Sequence, residues 1–448
     1  MPEIRHLFVG TFNINAAKLT TFDARKWLAD VKDYQPEVVA IGFQECADFP
    51  EENSPSPLNF RREYSETWST SSIAANSTKQ QDNENSADEF PEDDVDCHES
   101  LRRVLKGYKK VADVAIGEPP IKVVLSGKKT QWYGAIRLLV YFKAAFDPNP
   151  EVTTLIIPTG TKKSAVPNWD GYGENSSPDK GAVAVHFPEY DLLLVNLHLN
   201  GTNKYGVCEM EFDRKRTEQL GRIHNTLSEK IPHLGETRIV TMGDFNFRIQ
   251  MLNDQKAKER GGQDFQLVKE LAESQDKTKL NSLFNDYDRL HLMLSGKKPK
   301  PNAGPVIKEA PRLLEHSHDC LEQMMNRDYS GTDLLVPSFT KVPGEVCPRA
   351  FNDKRTPSWP DRILWEGDAD EMIVFRIIGD ITISDHDPCC ALFEFDTHFD
   401  KTGNQKSWTL RSIARSLCQC INFMLLALAF SVVFSSLFFS MTLSIVFL

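Results

Sequence analysis

The sequence predicts an α/β architecture of two facing β-sheets with helices on their outer faces, followed by a C-terminal transmembrane helix. Three observations predict it. Short, almost continuously apolar runs recur along the first 395 residues, segments of helical periodicity fall between them, and no charged residue occurs in 416–448. Runs of the first kind are strands buried on both faces, and helices interleaved with them cover sheets from outside.

The apolar runs at 7–14 and 38–43 read as buried strands on either side of an amphipathic segment near 22–31, a β-α-β opening. Residues 50–96 interrupt the pattern. Ser, Asn, Glu and Asp replace large aliphatics there, the composition of a disordered acidic insertion in a surface loop that carries no chemistry. Strand patterns resume at 110–116, 121–125, 135–142, 152–157, 182–187 and 192–197. Helical periodicity marks 209–227, 265–273 and 280–294, and strands return at 238–242, 362–364, 373–378 and 389–395.

Charge is unevenly distributed over the 448 residues. Residues 50–100 hold thirteen Asp or Glu against three Lys or Arg, which supplies −10 of the formal net charge of −11 and leaves the rest near neutral. A dedicated nucleic-acid-binding domain carries a clear basic excess, so no nucleic-acid partner is expected. The nine cysteines include no CxxC pair and no zinc or disulfide spacing, consistent with reduced thiols. Sequons at Asn76, Asn175 and Asn200 matter only in a lumenal domain, and the N-terminus shows no signal-peptide pattern.

Residues 423–448 are almost entirely Leu, Phe, Val, Ile, Met, Ala and Ser, long enough to cross a hydrocarbon core of roughly 30 Å. Lys401, Lys406, Arg411 and Arg415 precede them, a polarity that keeps the preceding chain cytosolic by the positive-inside tendency. The expected organisation is a basic juxtamembrane linker at 398–417 and a single-pass tail anchor at 418–448, on an organelle the sequence does not name.

Three stretches collect acids, amides and imidazoles at strand ends: Gly243-Asp-Phe-Asn-Phe-Arg248, Pro357-Ser-Trp-Pro-Asp-Arg-Ile-Leu-Trp365 and Ser384-Asp-His-Asp-Pro388. Alone, an Asp-Phe-Asn segment is usually an Asx turn and an Asp-His pair a surface loop. Together and in this order they resemble the signatures of the inositol polyphosphate 5-phosphatase family, GDxNxR, PxWxDRIL and SDHxP, within the endonuclease/exonuclease/phosphatase superfamily. Supporting matches are Thr11-Phe-Asn-Ile-Asn15, Gln44-Glu45, Asp179-Lys-Gly-Ala-Val183, Asn196-Leu-His-Leu199 and Asp286-Tyr-Asp-Arg-Leu290. The resemblance covers 8–395 apart from the insertion, and it implies a four-layer α/β sandwich and a catalytic domain at 1–397.

What the resemblance implies about roles can be set against the chemistry. Phosphomonoester hydrolysis needs a hard cation on a phosphate oxygen, an oriented water and donors around the equatorial oxygens. Mg²⁺ is the implied cofactor, with Glu45 as principal ligand and Asn13 and Asn15 nearby, since oxygen ligands suit it. Asp244 is the implied general base and Asn246 holds phosphate or water in line. His386 donates to the scissile phosphate with Asp361 supporting its charge. His198 is the implied phosphate contact, and Asp385 a metal-side or histidine-orienting carboxylate.

Substrate binding is assigned to Lys180, Lys341, Lys354, Arg355 and Arg362, with a structural role as the alternative for Arg362. Here the chain departs from the family: a PTYKY-like segment that supplies a Tyr-Lys pair to the 4-phosphate reads Pro337-Ser-Phe-Thr-Lys341. A requirement for a 4-phosphate therefore does not carry over. The substrates expected are PtdIns(4,5)P2 and PtdIns(3,4,5)P3 at a membrane surface. The alternatives are soluble Ins(1,4,5)P3 and Ins(1,3,4,5)P4, a nuclease or sphingomyelinase of the same superfamily, and an inactive phosphoinositide-binding scaffold.

Overall fold

The computed structural model describes residues 3–15, 23–46, 97–116, 122–125, 128–131, 135–147, 149–159, 180–201, 209–252, 263–327, 335–345, 348–352, 355–366 and 371–395. The acidic insertion at 50–96 and the expected linker and membrane helix at 398–448 lie outside the described residues. Among the described residues no helix is long and apolar enough to cross a membrane.

The chain opens with strand β1 (His6–Asn13), two short helices, α1 (Ala24–Trp27) and α2 (Ala29–Tyr34), and strand β2 (Val38–Cys46). Helix α3 (Cys97–Val104) and β3 (Tyr108–Ile116) follow, then the ribbon β4 (Lys122–Leu125) and β5 (Lys128–Gln131), β6 (Ala135–Lys143), β7 (Thr153–Pro158), β8 (Gly181–Phe187) and β9 (Leu192–His198). The long helix α4 (Glu209–Lys230) leads into β10 (Arg238–Asp244). After a helical stretch come β11 (His318–Asp319), β12 (Asp361–Glu366), β13 (Glu371–Ile377) and β14 (Cys389–Glu394).

These strands build two facing mixed sheets, ordered β13-β14-β1-β2-β6-β3 and β11-β12-β10-β9-β8-β7. Alternation along each strand decides what it buries. Leu7 and Val9 of β1, with Val38, Ala40, Leu138 and Val140, meet Val183, Val185, Leu194, Val240, Met242 and Ile363 of the other sheet. The intervening Phe8 and Phe12 instead face Trp27, Leu28 and Leu101 of the helices outside. On the far side Leu193, Val195 and Leu197 receive Leu220, Ile223 and Leu227 of α4. Strands apolar on both faces are the continuous runs visible in the sequence.

Trp27 fixes the first helical layer. Its ring meets Phe12 and Phe43 edge-on at 5.9 and 5.7 Å, and its indole N–H donates to the Cys389 carbonyl at 3.1 Å. Truncating such a side chain to Ala costs about 3–5 kcal/mol.

The single helix expected at 280–294 is two, Lys277–Tyr287 and Arg289–Ser295. Asp288 breaks it: its backbone is extended (φ −71°, ψ 118°) and its carboxylate accepts from the His291 amide, which makes it an N-cap. An apolar period survives such a break, so periodicity alone reads straight through it.

Candidate active site

β1 and β2 run parallel, as do β9 and β10, so four strand ends collect at one edge of the sandwich. Asn13 ends β1, Glu45 lies next to the end of β2, His198 ends β9 and Asp244 ends β10, with Asp244 and His198 in register. The close approach is set by Gly243, whose φ of 137° suits only glycine and where a Cβ would meet the Leu197 carbonyl at 2.0 Å. β12 runs antiparallel to β10 and begins at Asp361, paired with Asp244. The loop holding His386 crosses above.

The groups interlock. Asn13 Nδ2 donates to Asp244 Oδ2 at 2.9 Å, and the other Asp244 oxygen accepts from the Asn246 amide at 2.8 Å. Asn246, at φ 59°, donates through Nδ2 to the Leu199 carbonyl (3.0 Å) and accepts from Arg248 (2.5 Å). His198 Nε2 lies 3.5 Å from both Glu45 Oε1 and Asp244 Oδ2, and Lys180 Nζ reaches the same nitrogen at 2.6 Å. Opposite them, His386 Nδ1 sits 2.9 Å from Asp361 Oδ2, which also accepts from the Ser338 hydroxyl at 2.7 Å.

Electrostatics sort these groups by charge. Burial alone would depress the His386 pKa, but the charge and hydrogen bond of Asp361, helped by Asp385 and Asp244, raise it to about 9. Burial pushes Asp244 up, yet His386, His198, Arg248 and Lys180 together hold it at about 2. His198 is driven well below the usual imidazole range by burial and by the Lys180 ammonium. Burial raises Glu45 against the pull of Lys180 and His386. At neutral pH an imidazolium therefore faces a carboxylate, with a neutral imidazole beside them.

Glu45, Asp244 and Asn13 offer oxygen donors with no thiolate among them, a set that fits a hard dication. Asp244, Asp361 and His386 also place one ligand atom each within 4.8 Å of one another. That trio is a poorer cradle, because an ion there would break the His386–Asp361 pair.

The remaining assigned residues divide. Asp385 is half-buried beside His386, and its charge acts on both His386 and Glu45. Asn15 gives its backbone N–H to Asn13 Oδ1 at 3.0 Å while its side chain is exposed. Arg355 is exposed, 5.8 Å from the Phe339 ring, which itself stacks on His386 at 4.5 Å. Lys354 lies outside the described residues. Lys341 is 3% exposed, with its ammonium over the Phe351 ring (3.9 Å) and 3.7 Å from Asp387.

Arg362 requires a correction. It does not join the phosphate-facing set, because neighbouring residues of a strand point to opposite faces. Asp361 looks between the sheets, and Arg362 is fully buried on the other side in ion pairs with Asp288 (2.6 Å) and Asp319. Conversely, Arg248, Ser338 and Ser384 belong to the site without having been assigned. Ser384 Oγ ties the His386 loop to the end of β1 through the Asn13 carbonyl at 2.7 Å. All three stand inside the quoted segments: Arg248 in GDxNxR, Ser384 in SDHxP and Ser338 in the PTYKY-like stretch.

No family model matches the chain. Among curated proteins it is similar to the Type I inositol polyphosphate 5-phosphatase 5 of Arabidopsis thaliana, 50% identical over 91 residues, which is 18% of this chain and 17% of that one. It is also similar to the polyphosphatidylinositol phosphatase INP53 of Saccharomyces cerevisiae, 24% identical over 397 residues, 87% of this chain and 26% of that one. The relatives bear out the resemblance to inositol polyphosphate 5-phosphatases. The chain spans about a quarter or less of the length of these relatives. Among solved structures, the inositol polyphosphate 5-phosphatase domain of SPsynaptojanin, in complex with inositol (1,4)-bisphosphate and calcium, matches at TM-score 0.48 and 18% identity over 88% of this chain and 85% of that one. A Cimex nitrophorin matches at TM-score 0.48 and 13% identity over 88% and 99%.

Proposed function

We propose that the chain is a Mg²⁺-dependent phosphatase that removes the 5-phosphate of phosphoinositides such as PtdIns(4,5)P2 and PtdIns(3,4,5)P3 at a membrane surface. The observation that carries the reading is the meeting, at one strand-end edge, of the Asp361-supported His386 imidazolium and the hydrogen-bonded Asp244–Asn246 turn.

Glu45, with Asn13 and Asp244, would hold the cation, which supplies charge neutralisation at the phosphate and acidifies a water. Asp244, ionised across the working pH range, orients the attacking water and accepts its proton. Asn246 has its carbonyl fixed by Arg248 and one amide hydrogen fixed by Leu199, which leaves a second amide hydrogen aimed by two anchors. His386 presents Nε2–H to a phosphate oxygen, and Lys180 adds charge from the β8 side.

The lipid preference is supported by 418–448, proposed as a membrane helix with the basic residues before it on the cytosolic side. The test is phosphate release by the full chain from vesicles holding PtdIns(4,5)P2 or PtdIns(3,4,5)P3, from soluble Ins(1,4,5)P3 and Ins(1,3,4,5)P4, and from nucleic-acid ends. Release from the lipids that stops with EDTA and returns with Mg²⁺ supports the reading. Faster release from the soluble headgroups overturns the lipid assignment, and EDTA-resistant turnover overturns the metal.

A further inference from the structure

Strand β2 carries one residue too many near its carboxyl end. Its pairing with β6 runs in register from Val38 opposite Phe142 to Phe43 opposite Arg137, then resumes only at Cys46 opposite Ala135. Gln44 and Glu45 thus face the single residue Ile136, which is a β-bulge, and Glu45 there takes a left-handed conformation (φ 52°). A bulge disrupts the ladder locally, and a carbonyl oxygen has two lone pairs, so the carbonyls beside it can accept from a side chain as well.

One side chain from the opposite sheet meets two carbonyls beside the bulge. Asn196 of β9 is fully buried, and its Nδ2 donates to the Phe43 carbonyl at 3.0 Å and the Arg137 carbonyl at 2.9 Å. Its Oδ1 accepts from Gln44 Nε2 at 2.6 Å, and the same Gln44 nitrogen lies 3.0 Å from Thr11 Oγ1 on β1. Both hydrogens and the oxygen of the Asn196 amide are therefore spent on the bulge. Gly42 makes the approach possible, since a Cβ there would sit 2.5 Å from Asn196 Oδ1.

The geometry points to Asn196 as a positioning residue for the divalent cation: by locking the β2 bulge across the sheet interface it aims the Glu45 carboxylate into the site. This rests on the reading of Glu45 as a ligand of that ion. Asn196 touches neither ion nor substrate in this arrangement. Leu has the same branched heavy-atom skeleton and can fill the space; only an amide supplies two donors and an acceptor at once.

The experiment titrates Mg²⁺ by calorimetry and Mn²⁺ by electron spin resonance into the full chain and three variants, with thermal unfolding recorded for each. Asn196→Leu removes the amide while keeping the branched shape and number of heavy atoms, Gly42→Ala displaces it from the other side, and Glu45→Gln sets the scale for a lost ligand. Asn196→Leu and Gly42→Ala are expected to weaken metal affinity about 10- to 100-fold, as losing an outer partner of a ligand does. A role confined to packing would lower the unfolding temperature and leave the affinity of the folded protein unchanged. Folded Asn196→Leu and Gly42→Ala proteins that bind the ions like the parent, while Glu45→Gln does not, overturn the clamp and leave Glu45 standing. A Glu45→Gln protein that binds like the parent overturns both. If Asn196→Leu does not fold, Gly42→Ala decides alone.

Discussion

Asp361 and Arg362 are neighbours on β12, both fully buried and both ionic, yet they serve opposite ends. On the inner face, Asp361 has one cationic partner, His386, whose charge also acts on Asp244 and Glu45. On the outer face, Arg362 lies between Asp288 and Asp319, which N-cap the helices Arg289–Ser295 and Cys320–Asn326. One pair places its charge beside other groups of the site; the other consumes its charge in holding two helix ends onto a strand. A buried ion pair is weak evidence of function, and the comparison shows what distinguishes the useful one: charge left over.

The largest expected effect breaks the outer face. Arg362→Leu leaves Asp288 and Asp319 buried without their guanidinium, and removing one partner of such a pair costs about 3–5 kcal/mol. Chemical denaturation should show that loss, with KM unchanged in whatever protein remains folded. A folded variant of parental stability and raised KM would return Arg362 to the substrate site. On the inner face Asp244→Asn, nearly isosteric, should keep the fold and lower kcat by about 10²-fold or more, as deletion of a positioned base or charge does. Activity within threefold of the parent would remove Asp244 from the mechanism.

The outer role of Arg362 was within reach of the sequence in principle. A strand beginning at Asp361 places the two charges on opposite faces by its period of two, but a signature read as a string credits both to one site. The layered fold and the residues around Asp244, Asn246, Asp361 and His386 were legible because alternating burial and short motifs are local. Lys341 was not legible, because its burial against Phe351 and Asp387 depends on the path of a loop. Nor was the bridge from Asn196 to the β2 bulge, which joins residues some 150 positions apart in different sheets.

Asp361→Asn sharpens the comparison through pH. Because the folded His386 pKa of about 9 lies above the ordinary 6.5, the stabilisation it provides is complete below pH 6.5 and disappears as pH rises through 9. In the proposed mechanism the same proton is offered to phosphate, so parental activity should fall above about pH 9. Without the Asp361 charge the alkaline limb should move to lower pH. Activity at pH 8 should then drop by about 10-fold or more, since lowering the imidazole pKa by one more pH unit below the assay pH leaves about a tenth of the protonated form. An unmoved limb would mean that another group sets it.

The smallest effect concerns Arg355, assigned to substrate alongside Arg362 but differing from it in every physical respect. It is exposed, and its guanidinium stands near the Phe339 ring that stacks on His386, so it edges the site without closing it. Water screens such a charge, which limits what it adds to a phosphate contact to roughly 1 kcal/mol. Arg355→Ala should therefore raise KM about 3- to 10-fold with kcat nearly constant, and added salt should narrow the gap between variant and parent. Stability should stay within about 0.5 kcal/mol, as for surface substitutions generally. Equal KM at low salt would leave the phosphate to Lys180 and His386, whereas a loss of stability instead of affinity would mean that Arg355, like Arg362, serves the scaffold.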